Sequence, residues 1–268
     1  MNYFMSDIHG NAKAYFAMKA KINFGKDDQL YILGNIFDRN TDYPEHCLAI
    51  LDDIMENQNI TLLLGDHEYA HVMYHASRNS VDKTFKEAKV HELRPSGKAL
   101  LDYMKKLPEE RLDEYISYLV GCQLSAAVCI GERNFYLVHG APKLLSECTN
   151  ICNWEEQLAS QEIDLSRTYK KEIARDENCS TVDWKNVDDT IIICGNLTTE
   201  KAVDTVYEIR KDYFYGEHSE YQKVIFYENK MLINCGCQWD EYFSELIPTL
   251  ACLSIDEEGY SVTYKYNI

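Results

Sequence analysis

The residues able to do chemistry gather in short clusters: Asp7-Ile8-His9-Gly10, Asn35-Ile36-Phe37-Asp38-Arg39, Gly65-Asp66-His67-Glu68, His139-Gly140 and Gly195-Asn196. Each follows an apolar run. Carboxylates and imidazoles are ligands for divalent transition metals, and positions just past a strand are held on a stiff support. An Asp and a His two apart in such a loop can both turn toward one ion. One cluster alone would mean little, because a loop histidine is more often solvated or hydrogen-bonded. Recurrence carries the argument, since His9, His67 and His139 all follow apolar strands. His46, His71, His75, His91 and His218 lie away from strand ends and are set aside. A structural reading stays open beside this one. Asn35 and Asn196 also suit turns, where Asn tolerates left-handed backbone, and Asp38 and Asp66 suit acceptors for loop N–H groups.

The elements that must position these clusters alternate. Strands are expected at Tyr3–Met5, Gln29–Leu33 and Ile60–Leu64, with helical spacing over Ala12–Ile22 and from Cys47 to Met55. Strand–helix alternation of this kind argues for parallel strands, whose ligand sites lie at their carboxyl ends. Glu68–Val120 reads as mostly helical, with amphipathic spacing in Lys98–Leu107 and Arg111–Leu119. A hairpin follows, Leu124–Ile130 and Phe135–Val138, joined by a turn at Gly131-Glu132-Arg133-Asn134. Pro142–Asp189 is polar and leans helical. Strands return at Thr190–Cys194, Lys223–Tyr227, Met231–Asn234, Thr249–Ile255 and Tyr260–Tyr266. No repeat, low-complexity tract or Pro/Gly linker marks a boundary, so one domain over 1–268 is expected, with a mostly helical insertion around 69–120.

Composition bounds the partners. The chain has 268 residues, is 46% hydrophobic and carries a formal charge of −17. That field repels phosphate backbones, which argues against extended nucleic-acid binding and obliges an anionic substrate to meet local cations. The apolar runs Thr61–Leu64 and Thr190–Cys194 fall far below the roughly 20 residues that span a bilayer. Met1–His9 lacks the basic-then-apolar pattern of an export signal, so a cytoplasmic location and no membrane partner are expected. The ten cysteines follow no disulfide framework. Cys148/Cys152 and Cys235/Cys237 lack the paired spacing of structural zinc, and the absence of a CxxC pair argues against thiol redox chemistry.

Taken in order and at their separations, these clusters resemble the calcineurin-like metallophosphoesterases. The branch resembled most holds the phosphoprotein phosphatases and the symmetrical diadenosine tetraphosphatases. The likeness extends to Ile193-Cys194-Gly195-Asn196-Leu197-Thr198, Ile233-Asn234-Cys235-Gly236-Cys237 and Leu250-Ala251-Cys252-Leu253, nearly the whole chain. It implies an α/β fold, a central β-sandwich of mixed sheets flanked by helices in four layers (α/β/β/α). It also implies a divalent metal cofactor, manganese first with iron or zinc as alternatives, as one or two ions of reduced affinity. The metal positions it implies are Asp7, His9, Asn35, Asp66, His139 and Asn196. His67 would protonate the leaving oxygen, Asp38 would orient it, and Arg39 would grip the phosphate, so His67 and Arg39 also bind substrate. The implied reaction is in-line attack on phosphorus by a metal-bound hydroxide. The substrate would be a phosphoprotein, a dinucleoside polyphosphate or another small phosphoester.

The sequence departs from that pattern at critical places. Position 35 is Asn where the family bridges two ions with Asp. Position 66 is Asp for Asn, position 196 is Asn for His, and Asn40 replaces the glycine after the Asp-Arg pair. The arginine expected beside Trp154 is missing from Asn153-Trp154-Glu155-Glu156. An amide oxygen bridges two cations poorly. Yet Asp7 with His9 and Asp66 with His139 leave each half-site one carboxylate and one imidazole, so the formal ligand charge is unchanged. Two functions follow: a metal-dependent phosphoesterase, or a catalytically impaired relative acting as a binding or regulatory module.

Overall fold

The computed structural model describes residues 1–78, 95–140, 190–196, 224–227, 230–237, 248–259 and 261–267. Strand alternation decides the layering. In β1 (Asn2–Met5) Tyr3 and Met5 face one core, while Phe4 faces another. The same division splits Leu30 and Ile32 from Leu33 in β2 (Gln29–Leu33), and Ile60 and Leu62 from Leu63 in β3 (Ile60–Leu63). Both faces of these strands are apolar, as strands covered on two sides must be.

The first sheet has the order β10-β9-β1-β2-β3, with β9 at Thr249–Ile255 and β10 at Ser261–Asn267. β1, β2 and β3 run parallel, whereas β9 is antiparallel to both β1 and β10. A second sheet is built from β4 (Ser125–Ile130), β5 (Arg133–Val138), β6 (Ile191–Cys194), β7 (Ile225–Tyr227) and β8 (Lys230–Leu232). Its order is β4-β5-β6-β8-β7, and its three central strands, β5, β6 and β8, are again parallel. Phe4, Leu33, Leu63, Leu253 and Ile255 of the first sheet share a core with Phe135, Leu137, Ile191, Ile193 and Met231 of the second. The two mixed sheets form the expected sandwich.

Helices cover the outer face of the first sheet. α1 (Ala12–Lys21) is capped by the Asn11 side chain, which accepts from Ala14 N at 3.0 Å. It packs on β9, β10 and α2 (Glu45–Glu56). Asp53 of α2 accepts from the Tyr15 hydroxyl at 2.6 Å and Lys19 at 2.5 Å, fastening the two helices. α3 (Asp66–Arg78) starts where β3 ends, and α4 (Pro95–Met104) and α5 (Glu109–Gly121) pack against it. The expected helical stretch therefore resolves into these three helices, with 79–94 outside the described residues. The polar stretch Pro142–Asp189 also lies outside them.

Among the described residues no helix is long and apolar enough to cross a membrane.

Candidate active site

Two sets of three parallel strands end on the same side of the sandwich, and their loops carry the clusters. Asp7 and His9 follow β1; Asn35 and Asp38 follow β2; Asp66, His67 and Glu68 follow β3; His139 follows β5 and Asn196 follows β6. The loops are locked together by backbone bonds from Asp7 N to Gly34 O, His9 N to Asn35 O and Gly195 N to His139 O, at 2.9 to 3.0 Å. Their geometry is unusual. Asp7, His9, Asn35, Asp38, Arg39 and Asn196 all hold φ between 50° and 67°, and Asn23 is the one other non-glycine that does so among the described residues. L-residues pay for that conformation with strain, and surroundings that over-determine them are typical of functional loops.

Glu68 supplies much of that over-determination. Its fully buried carboxylate accepts from Asn35 N at 2.7 Å, Phe37 N at 2.8 Å and Gly65 N at 3.0 Å. It thus pins the loop after β2 to the loop after β3. Burial raises its pKa, against the pull of those N–H bonds.

Asn35 is the hub. Its Nδ2 donates to Asp7 Oδ1 at 3.2 Å and to Asp66 Oδ1 at 3.0 Å, while its Oδ1 accepts from His67 N at 3.2 Å. Gly65 makes room for this: a Cβ there would lie 2.2 Å from Asn35 Oδ1. On one side of Asn35, Asp7 Oδ2 accepts from the Ser6 hydroxyl at 2.5 Å and from Asn196 N at 2.9 Å. His9 Nδ1 donates to Phe37 O at 2.9 Å, leaving Nε2 3.8 Å from Asp7 Oδ1. Burial, Arg39 and His67 together hold the His9 pKa well below its usual value, so the ring is neutral near pH 7. On the other side, His139 Nδ1 donates to Leu33 O at 2.6 Å and Nε2 lies 3.2 Å from Asp66 Oδ1. Burial opposes charge on His139, but Asp7 and Asp66 outweigh it and push its pKa up to about 9. Asp66 also resists burial, held below the usual carboxylate range by His139 and Asn35.

Beside this group lies a second. Asp38 Oδ2 accepts from His67 Nδ1 at 2.7 Å, and its Oδ1 accepts from His71 Nε2 at 2.8 Å. Burial would raise the Asp38 pKa, yet the two imidazoles prevail and hold it below the usual range. Setting His71 aside was wrong: it is fully buried against Asp38. The signal was present, because His67 and His71 are four apart on α3 and so share a helix face. The His67 and His9 rings meet edge to face at 4.9 Å.

The structure thus brings Asp7, His9, Asn35, Asp38, Asp66, His67 and His139 together. Asn196 reaches them through its backbone N–H, and Arg39 adjoins them closely enough for its charge to act on His9. Asn40 turns instead to Gly10 O at 2.8 Å. Cys235 and Cys237 are buried thiols after β8, and burial raises the Cys237 pKa, as expected of core cysteines. Cys148, Cys152, Asn153–Glu156, Leu197 and Thr198 lie outside the described residues.

Residues 3–230 match the family model of the calcineurin-like phosphoesterases. The chain belongs to this family. Members of the calcineurin-like phosphoesterase family use divalent metals as a rule, and the fold described above is theirs. Several solved structures of low identity resemble the chain. A hypothetical protein from Pyrococcus horikoshii is 14% identical, with a TM-score of 0.48, over 100% of this chain and 88% of that one. A metallophosphoesterase from Sphaerobacter thermophilus is also 14% identical, at 0.46, over 100% and 87%. A serine/threonine phosphatase from Saccharomyces cerevisiae is 12% identical, at 0.42, over 100% and 79%. No curated protein matches the sequence.

A metal fits this site in part. Both His9 and His139 donate Nδ1–H to a backbone carbonyl, the support that aims Nε2 of a ligating histidine. Acid and imidazole come as pairs, however, and among the described residues no three His, Cys, Asp or Glu side chains form a ready metal cluster. The Asn35 amide separates the pairs. The residues therefore do not suit a carboxylate-bridged pair of ions.

Proposed function

We propose that this protein hydrolyses a phosphoester, with a divalent ion held by Asp7 and His9 or by Asp66 and His139. The observation that carries this reading is the His67–Asp38 pair beside the two acid–imidazole pairs. When bound, the ion supplies Lewis acidity to a phosphoryl oxygen. Asp38 accepts the Nδ1–H of His67 and so fixes its ring and tautomer. That leaves Nε2 to carry the proton given to the leaving oxygen. Arg39 brings a fixed positive charge for the phosphate, which a chain of net charge −17 needs at its site. Asp38 and His67 are themselves buried. The substrate class is a small phosphoester, a dinucleoside polyphosphate or a phosphoprotein, with manganese the metal of choice and iron or zinc the alternatives.

One observation favours a second reading. The Asn35 amide already ties Asp7 to Asp66, so the site is hydrogen-bonded without an ion, as suits a phosphatase-like binding or regulatory module. The deciding assay is para-nitrophenyl phosphate and bis-para-nitrophenyl phosphate hydrolysis with and without Mn²⁺, Fe²⁺ or Zn²⁺. Metal-dependent turnover that His67→Ala reduces, least for these good leaving groups, supports hydrolysis. No turnover with any ion leaves the binding-module reading.

A further inference from the structure

We propose that His71 is a positioning residue for the reaction proposed above: through Asp38 it sets the aim of the His67 ring. This rests on the hydrolytic reading, which gives His67 its part, and adds one residue to it.

His71 stands one turn beyond His67 on α3, so the two rings share a helix face. Its ring is fully buried, with Nε2 2.8 Å from Asp38 Oδ1. Asp38 is held below the usual carboxylate range, and an ionised carboxylate only accepts, so the proton of this bond is on His71 Nε2. The other ring nitrogen, Nδ1, is buried without a hydrogen-bond partner among the described residues, and Phe37 meets the ring edge to face at 5.4 Å. A buried polar atom left unmatched costs stability that leucine or methionine at the same place would not. Packing alone would favour an apolar side chain here. What the imidazole adds is its bond to Asp38.

That bond matters because of how a carboxylate turns. The torsion that carries the two oxygens of an Asp is broad, unlike the staggered torsion above it. Held by His67 alone, the Asp38 carboxylate could turn and present either oxygen. With His67 Nδ1 2.7 Å from Oδ2 and His71 Nε2 2.8 Å from Oδ1, each oxygen has its own donor and the plane is fixed. α4 closes another side. A Cβ on Gly97 would lie 2.9 Å from Oδ2 and 3.3 Å from Cγ and Oδ1, so the backbone of that helix rests against the carboxylate. Asp38 itself sits at φ 67°, a conformation that its surroundings must hold. Oδ2 therefore meets His67 Nδ1 from one direction, which fixes the line along which His67 Nε2 points.

The test compares His71→Leu with His71→Gln, which keeps an N–H donor for Oδ1. The first readout needs neither metal nor substrate. In chelator-treated full-length protein, proton NMR should show the His67 Nδ1–H as a slowly exchanging, far-downfield resonance. His71→Leu should broaden it and speed its exchange with water, and His71→Gln should restore it. The second readout is hydrolysis of phenyl phosphate with Mn²⁺, since that poor leaving group needs the proton. His71→Leu should lower kcat by about 10–100-fold, the cost typical of losing an orienting partner, with KM little changed. His71→Gln should recover most of the loss. In a His67→Ala background His71→Leu should cost nothing more, whereas a merely structural role would lower both backgrounds alike. An unchanged His67 resonance in folded His71→Leu, or an equal loss in both backgrounds, overturns the proposal. If circular dichroism shows His71→Leu unfolded, the parent decides. Its spectrum should hold a second downfield proton, from His71 Nε2, that His71→Gln removes while the His67 resonance stays; absence of that proton overturns the proposal. A parent that hydrolyses nothing sinks the hydrolytic reading, and the resonances still decide whether His71 holds the His67 ring.

Discussion

Asp38→Asn is the most informative single change, because one buried carboxylate serves two imidazoles. Asp38 is 2% exposed, and each of its oxygens accepts one imidazole N–H, at 2.7 Å from His67 and 2.8 Å from His71. A hydrogen bond to a charged group contributes about 1.5–3 kcal/mol, so the pair is worth about 3–6 kcal/mol. The amide oxygen keeps one bond at neutral strength, about 1 kcal/mol, and removing a buried charge relieves part of its desolvation. The net loss is about 2–4 kcal/mol. At about 2–4 °C per kcal/mol for a chain of this size, the melting temperature should fall by about 4–16 °C at pH 7. The pH dependence adds a second mark. The folded-state pKa of Asp38 is depressed, so its stabilisation is present above the unfolded value of about 3.9 and is lost as pH falls toward the folded one. The gap between parent and variant should stay constant from pH 7 to about 5 and narrow below about 4. Turnover should drop about 10²–10⁴-fold as His67 loses its orienting partner. Thermal melts by circular dichroism across that range provide the check. A variant melting within about 2 °C of the parent at pH 7, or a gap unchanged below pH 4, would refute the assignment of Asp38 as the charged partner of both rings.

Other outcomes follow from the same contacts. Glu68→Ala strands three buried N–H groups, each worth about 1–3 kcal/mol unsatisfied, so urea unfolding should show a loss of about 3–5 kcal/mol after the carboxylate's own burial cost is recovered. Gly65→Ala drives a methyl to 2.6 Å from Asn35 N, a backbone atom that cannot yield cheaply, and should destabilise by about 1–3 kcal/mol on the same curves. Iodoacetamide should modify exposed Cys129 in the native protein well before buried Cys47, Cys122, Cys237 and Cys252, whose thiols burial raises (Cys122 to about 12), as peptide mass mapping would show.

Much of the first sheet was legible because its strands are short apolar runs stopped by glycine and polar residues. β2 and β9 match their expected bounds, and β1 and β3 differ by a residue at one end. The β4–β5 hairpin was legible for the same reason, although the turn is only Gly131-Glu132 and not the expected Gly131-Glu132-Arg133-Asn134, since Arg133 and Asn134 already pair in β5. Strand order was not. β1 pairs with β9 some 250 residues on, and no local pattern encodes a partner that far away. At the site, Asp7, His9, Asp66 and His139 could be chosen by residue type and place. The inward-facing Asn35 amide could not, because Asn in a left-handed loop reads as a turn residue, which its φ of 57° also makes it. His71 was within reach through its spacing of four from His67 on α3, although its partner Asp38 lies on another element; Glu68 was not, because its work is done on backbone groups that composition never reveals.

The place of β1 bears on how the protein is made. β1 lies in the middle of the first sheet, and one of its flanks is filled by β9, a strand made long after it. Until residues 249–255 have been synthesised, β1 keeps an open edge of unpaired N–H and C=O groups. The second sheet, complete at β8, can pair its own strands earlier. Asp7 and His9 hang from the end of β1, so their final positions await the pairing of β1 with β9. Such a long-range pairing folds slowly. A nascent chain of this protein is therefore exposed to edge-to-edge association from the making of β1 until that of β9, and the Asp7–His9 loop takes its final place only then.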